Sequence, residues 1–210
     1  ALENWEQYIQ SETEDPTLQV AIAHAQFEIL HPFKDGNGRI GRMLIPLLLF
    51  QRNALSRPMF YMSEYLESNR AEYYDRLLAI TEQGDWHGWI TFFLNAMSVQ
   101  AERNLSKVRD VRDLYEETKR QVVEVTHSQF AMGAVDALFA QPIISGTAFA
   151  KNAGFANRVT ANNMLRQLEA ERIITRIRDG SGRMPAIYAL LSLINVTEGR
   201  PVFYGEKRSR

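Results

Sequence analysis

The chain of 210 residues contains no cysteine. That removes disulfides, thiolate nucleophiles, iron–sulfur clusters and cysteine-ligated zinc, and it fits a reducing compartment, so the expected location is the cytoplasm. Net charge is almost lacking as well: 24 Lys+Arg against 25 Asp+Glu leave −1. The chain as a whole therefore carries no electrostatic signature of a nucleic-acid or membrane partner, and any such partner must be met by a local patch. Nor is there a long apolar run. The longest, Met43 to Phe50, falls far short of the ~20 residues of a membrane span and reads as a buried helix. The opening ALENWEQYIQSETEDP has no basic segment followed by an apolar core, so it is no secretory signal. With 45% hydrophobic and 23% charged residues, 12 Gly and 7 Pro, the composition is that of a globular protein, which excludes collagen and low-complexity disorder. The first residue is Ala1 rather than methionine, and a processed or trimmed protein is expected.

Apolar residues from Thr17 to Leu30 recur at helical spacing after the start signal Asp15-Pro16. Pro32 must end that helix, because proline disfavours the helical region for the residue before it. A second helix is predicted from about Gly38 to Asn53, with Pro46 inside it, a third from Ser63 through Gln83, and another from Asp85 to about Val125. No strand pattern precedes residue 170. Further on, short helices are predicted over Gln129–Ala140, from the cap Ser145 to near Gly154, and from about Asn157 to Ala170. Two alternating segments around Asp179-Gly180-Ser181-Gly182 then read as a hairpin. The expected architecture is mainly α: a helical domain over residues 1–125, a small winged helix-turn-helix domain with a β-hairpin wing over 126–195, and a basic tail over 196–210.

The segment His31-Pro32-Phe33-Lys34-Asp35-Gly36-Asn37-Gly38-Arg39-Ile40-Gly41-Arg42 concentrates a base, an acid, two arginines and three glycines at a helix entrance. Gly36 and Gly38 permit close approach, and the unpaired N–H groups of the helix start suit a phosphate. Arg39 and Arg42, three residues apart, share a helix face and can clamp phosphates. Asp35 is a hard oxygen donor of the kind Mg²⁺ takes beside phosphate oxygens. His31 is the candidate proton acceptor. Gly36-x-Gly38-x-x-Gly41 also fits the dinucleotide-binding expression, but that fingerprint follows a strand in a βαβ unit, which is not found here. A Walker loop fails for want of Gly-Lys-Ser/Thr. An EF-hand fails because Ile40 and Pro46 occupy its glycine and glutamate positions.

HPFKDGNGRIGR reproduces at every defining position the signature HPFx[D/E]GNGRxxR, and the chain resembles the Fic family there. The flanks are similar too: His24 to Leu30, Leu55 to Pro58, Ser63 to Leu66 and Asn69 to Tyr74 look like the family's neighbouring segments. The resemblance covers roughly residues 5–125, and the C-terminal module looks like the winged helix carried by longer members. It implies a Fic-type helical bundle and a protein adenylyltransferase, moving AMP from ATP to a Ser, Thr or Tyr hydroxyl of a target protein. Carried over, His31 is the general base, Phe33 anchors the loop, and Asp35 binds Mg²⁺. Gly36, Asn37 and Gly38 hold phosphate oxygens, the Asn37 side chain assisting, with Arg39 and Arg42 on the β- and γ-phosphates and Tyr73 and Leu77 as adenine candidates. The same loop run in reverse, removing AMP, or moving another phosphate-containing group, is the alternative. The family's inhibitory pattern Ser/Thr-x-x-x-Glu-Gly/Asn is not matched at Ser63–Ser68 or Ser98–Arg103. Its target-docking flap lies upstream of the motif, so a fragment lacking both features is expected.

His24 reads as a packed, hydrogen-bonded histidine rather than a second base. Residues 151–188 carry seven Lys/Arg and three acids, a local net of +4. Arg158, Asn162, Asn163 and Arg166 decorate the predicted third helix of the C-terminal module and Arg183 its wing, positions that a helix-turn-helix protein turns toward DNA. A DNA-binding regulator with a nucleotide-sensing loop is therefore the rival class. Monomer and homodimer both remain open.

Overall fold

The computed structural model describes residues 1–12, 14–182 and 184–202. The fold is mainly helical with one small sheet, and it divides into two compact units, Ala1–Leu105 and Ser106–Arg210. Among the described residues, no helix is long and apolar enough to cross a membrane.

The first unit contains α1 (Leu2–Gln10), α2 (Pro16–Leu30), α3 (Asn37–Gln51), α4 (Ser63–Ser68), α5 (Arg70–Gln83) and the first part of α6 (Trp86–Thr126). Its central element is α2. Asp15 starts it, accepting from the Thr17 and Leu18 N–H groups, and Pro16 stands where a missing N–H costs nothing. Ala21, Ala23 and Ala25 are fully buried. Their small side chains let neighbours approach the α2 backbone closely, so that the Trp89 indole donates to the Ala21 carbonyl at 2.9 Å and the Trp5 indole to that of Ala23 at 2.8 Å. Phe27, Ile45, Leu49, Trp89 and Phe93 fill the core around it.

Two features of this unit depart from the sequence reading. The helix expected over Ser63–Gln83 is two helices, because Asn69 leaves helical geometry (φ −117°, ψ 34°) and its side chain donates to the Tyr65 carbonyl at 2.9 Å, closing α4. No helix was expected over α1, none of whose residues is fully buried, so its periodic signal is thin. It is held instead by Trp5 tilted against Phe27, by Gln19 donating to the Tyr8 and Ser11 carbonyls, and by Arg52 donating to those of Ile9 and Ser11.

The second unit takes the rest of α6, then α7 (Ala131–Ala140), β1 (Ile143–Ser145), α8 (Gly146–Asn152), α9 (Arg158–Ala170), β2 (Thr175–Arg178), β3 (Ile187–Ala189) and α10 (Leu191–Glu198). The sheet is antiparallel in the order β1-β3-β2, with Ile144 and Arg176 both opposite Tyr188. Val122 of α6 packs with Val135, Leu138, Ile144, Phe149, Leu165, Leu168 and Leu190 in one core. Ser145 and Asn157 cap α8 and α9, accepting from the Ala148 and Val159 N–H groups. Strand β1 corrects the expectation of no strand before residue 170: three residues are too few for an alternating pattern, and its partner lies far along the chain. Helix α10 also had no counterpart in the sequence reading.

Candidate active site

The loop between α2 and α3 is built from its ends inward. Helix α2 stops at His31, which takes the left-handed conformation (φ 46°) ahead of Pro32 and leaves its side chain exposed. Helix α3 starts at Gly36, also left-handed at φ 82°, a geometry that favours glycine. The first bond within α3 joins the Ile40 N–H to the Gly36 carbonyl. The N–H groups of Asn37, Gly38 and Arg39 therefore lie outside the helix's own ladder, at its positive dipole end.

Asn37 sets the shape of this loop. It is 2% exposed, its side-chain oxygen accepts the Phe33 N–H at 2.9 Å, and its side-chain nitrogen donates to the Phe33 carbonyl at 2.6 Å. Two expectations are corrected by this arrangement. The Asn37 side chain, expected to assist at phosphate, faces inward onto the loop backbone, and its main-chain N–H is left outside the helix ladder. Phe33 is 50% exposed and rests its ring 6.3 Å from that of Phe27. The loop is thus anchored through the Phe33 backbone, with the phenyl ring lying on the surface of the core.

Asp35 and Arg39 stand on the outer side. One Asp35 oxygen accepts the Gly36 N–H at 2.7 Å, and the other lies 3.5 Å from the Arg39 guanidinium. Both side chains are largely exposed, so this pair is weak and free to open. Among the described residues no group of three or more His, Cys, Asp or Glu could hold a metal by itself. A single exposed carboxylate beside free helix-start N–H groups is nevertheless a donor of the kind Mg²⁺ takes, since that ion uses one or two carboxylates and fills its shell with other oxygens.

Beneath the loop, the helix interface is polar at its centre. His24 is 2% exposed, its Nδ1 lies 3.1 Å from the Gly41 carbonyl, and its Nε2 lies 3.0 Å from the Tyr73 hydroxyl. A carbonyl only accepts, so Nδ1 carries the proton and Nε2 accepts from the tyrosine, which assigns a neutral ring. Burial drives its pKa down to about 4, with the Arg42 charge adding to the effect and the Gly41 bond opposing it. His24 is a packed, hydrogen-bonded histidine, as the sequence suggested. The adenine assignment for Tyr73 is corrected: the ring is 4% exposed, in contact with Trp89 and Tyr74, and its hydroxyl is committed to His24. Burial, reinforced by the Glu28 charge, holds that hydroxyl well above the ordinary tyrosine range. Leu77 packs against the same core.

Glu28 was not singled out in the sequence. It occupies the last turn of α2, three residues before His31, on the face shared with His24. Burial pushes its carboxyl up, while the charges of Arg42 and His31 pull it back. Its Oε1 is buried without a hydrogen-bond partner. The usable signal was the i, i+4, i+7 spacing of His24, Glu28 and His31, hidden among apolar neighbours.

In the second unit, Arg158, Asn162, Asn163 and Arg166 are all exposed on α9. Three of them, Arg158, Asn162 and Arg166, line a groove of about 370 Å³ together with Thr147, Arg176 and Tyr188, and no acidic residue lines it among those described. Arg176, absent from the sequence candidates, is fixed by Glu169 and by Asp179 and lies 5.6 Å over the Tyr188 ring. Arg183 lies outside the described residues.

Comparison with known proteins places the loop in context. Residues 1–49 match the model of the Fic/DOC family. The chain is 30% identical over 101 residues to protein adenylyltransferase fic-1 of Caenorhabditis elegans, which covers 48% of this chain and 18% of that protein. It is 36% identical over 58 residues to probable protein adenylyltransferase aq_aa38 of Aquifex aeolicus (strain VF5), covering 28% and 18% respectively. The matched stretches thus make up less than a fifth of these relatives. A crystal structure of a Fic family protein from Desulfovibrio desulfuricans G20 superposes with a TM-score of 0.48 at 21% identity, covering 98% of this chain and 55% of that one.

Proposed function

We propose that this chain, whose residues 1–49 match the Fic/DOC family model, is a protein adenylyltransferase, moving AMP from ATP to a hydroxyl side chain of a target protein. The observation that carries this reading is the clamped loop. It sets an exposed histidine at the end of α2 and three helix-start N–H groups at the head of α3, beside Arg39 and Arg42. His31 takes the proton of the target hydroxyl, the oxygen bonds to the α-phosphorus, and the bond from that phosphorus to the bridging oxygen breaks, so that pyrophosphate leaves. The N–H groups of Asn37, Gly38 and Arg39 hold phosphate oxygens as they gain charge, and the two guanidiniums receive the β- and γ-phosphates. Asp35 would hold Mg²⁺, which offsets phosphate charge when bound. Removal of AMP would use the same residues in reverse.

The test is intact-protein mass spectrometry and autoradiography after incubation with Mg²⁺, a lysate and ATP labelled on the α- or γ-phosphate, with His31→Ala as control. Label from the α-phosphate that the substitution abolishes supports the reading. Label from the γ-phosphate alone would make the reaction a kinase-like transfer, and no label would overturn both.

A second reading concerns the other unit, for which the arginine-lined groove beside α9 is the supporting observation. Read as a winged helix-turn-helix module, it would contact DNA phosphates through Arg158, Arg166 and Arg176, with Asn162 and Asn163 nearest the bases. Binding to duplex DNA should then weaken steeply with salt, and Arg158→Ala should reduce the salt slope by about one. A salt-independent interaction, or none, would discard this reading.

A further inference from the structure

Glu28 occupies a slot that Gly41 leaves open. A Cβ at position 41 would lie 2.2 Å from its Oε1 and 3.2 Å from its Cδ. At position 38 a Cβ would lie 3.9 Å from its Oε2 and 3.3 Å from the Arg42 Nη1. The carboxylate and the Arg42 guanidinium thus converge on the same gap above Gly38. One oxygen stays buried without a partner, an arrangement that costs stability unless the charge serves a purpose. Of the charges acting on Glu28, that of Arg42 is the larger and that of His31 the smaller.

We propose that Glu28 is a positioning residue for Arg42: facing the same gap above Gly38, its charge draws one edge of the guanidinium inward so that the opposite edge faces the terminal phosphates of the nucleotide. A guanidinium has five donors in one plane, so it can offer one fixed edge to a carboxylate and another to a phosphate, a directed fork that a lysine ammonium lacks. The α2 carboxylate thereby sets the direction of the α3 arginine, and the absence of a side chain at Gly41 gives it room. This inference rests on the assignment of the 31–42 loop as a nucleotide site.

Two alternatives make opposite predictions. If Glu28 were only a negative charge near the site, removing it would tighten ATP binding by relieving repulsion. If it positions Arg42, Glu28→Gln should weaken ATP binding about tenfold, a coupling common between neighbouring charged groups. AMP, which lacks the β- and γ-phosphates, should bind unchanged. Glu28→Asp keeps the charge and withdraws the carboxylate by one methylene, so it should weaken ATP in the same direction. In an Arg42→Ala background neither change should have a further effect. The experiment is calorimetry with ATP and with AMP on the full chain, accompanied by NMR of the Arg42 Nε–H resonance in the free protein. That resonance should move in Glu28→Gln. Tighter ATP binding, equal weakening of ATP and AMP, or an unmoved arginine resonance would each overturn the proposal. Failure of the unsubstituted chain to bind either nucleotide would instead defeat the nucleotide-site reading, while the arginine resonance would still decide whether Glu28 acts on Arg42.

Discussion

Acidification should loosen the first unit through one buried ring, and the size of the effect follows from His24. An unfolded histidine titrates near 6.5, and in the fold burial brings His24 down to about 4. A folded pKa below the unfolded one means that the unfolded chain binds the proton first. His24 therefore stabilises the fold fully above pH 6.5, and the contribution is lost as pH falls from there to about 4. The gap of about 2.5 pH units, at ~1.4 kcal/mol each, amounts to about 3 kcal/mol. Roughly 2 kcal/mol of it should already be gone at pH 5. Glu28 acts in the opposite direction, because its raised carboxyl holds its proton more firmly in the fold than outside it. The clean measure is therefore a difference between proteins. His24→Gln can donate to the Gly41 carbonyl and accept from Tyr73, and it does not titrate. Trp5, Trp86 and Trp89 are the only tryptophans and all lie in the first unit, so urea unfolding followed by tryptophan fluorescence reports that unit. Between pH 8 and pH 5 the unsubstituted chain should lose about 2 kcal/mol more than His24→Gln. Equal losses, or an NMR titration of the His24 ring near pH 6.5, would refute the reasoning.

Gly41→Ala should cost about 1–3 kcal/mol, because the new methyl meets Glu28 and, at 3.3 Å, His24 Cε1. In a Glu28→Ala background the same change should be close to neutral, since the closest contact has gone and helix propensity favours alanine over glycine; fluorescence-detected unfolding of the four proteins decides it. Asn37→Ala should remove both bonds to the Phe33 backbone and cost about 2 kcal/mol, with ATP affinity falling in calorimetry. Unchanged affinity would show that the loop keeps its shape without the clamp. Asp15→Ala should lower stability by about 1 kcal/mol through loss of the α2 cap, again read by unfolding, with no change in nucleotide affinity.

Most helices were legible because their punctuation is local. Asp15-Pro16, Ser145 and Asn157 mark helix starts by side chains that reach only two or three residues ahead, and Pro32 and Gly84 mark ends. What escaped depends on distant partners. Helix α1 is held by Gln19 and Arg52, and β1 by a strand more than forty residues later. The loop's chemistry was visible as a run of residue types, but the direction of each side chain was not. Asn37 reads equally well as a phosphate ligand or a backbone clamp until its two bonds to Phe33 are seen. Tyr73 lies at a helical spacing shared by core and ligand-facing residues, and only the position of His24 decides between them. Glu28 was hidden because a carboxylate on an otherwise apolar helix gives no hint that Gly41 of the next helix makes room for it.

The Asn37 clamp also bears on how tightly a small anion can be gripped. A loop ordered only when its ligand arrives loses conformational freedom worth about 1–2 kcal/mol per residue at that moment, and affinity falls accordingly. Here a side-chain amide holds the loop backbone within the fold. On the proposed reading the entropy of ordering is settled during folding, and the donors are in place before the anion reaches them. Preorganisation of this kind should show in kinetics: capture of the anion limited by diffusion, with no slow ordering phase after encounter.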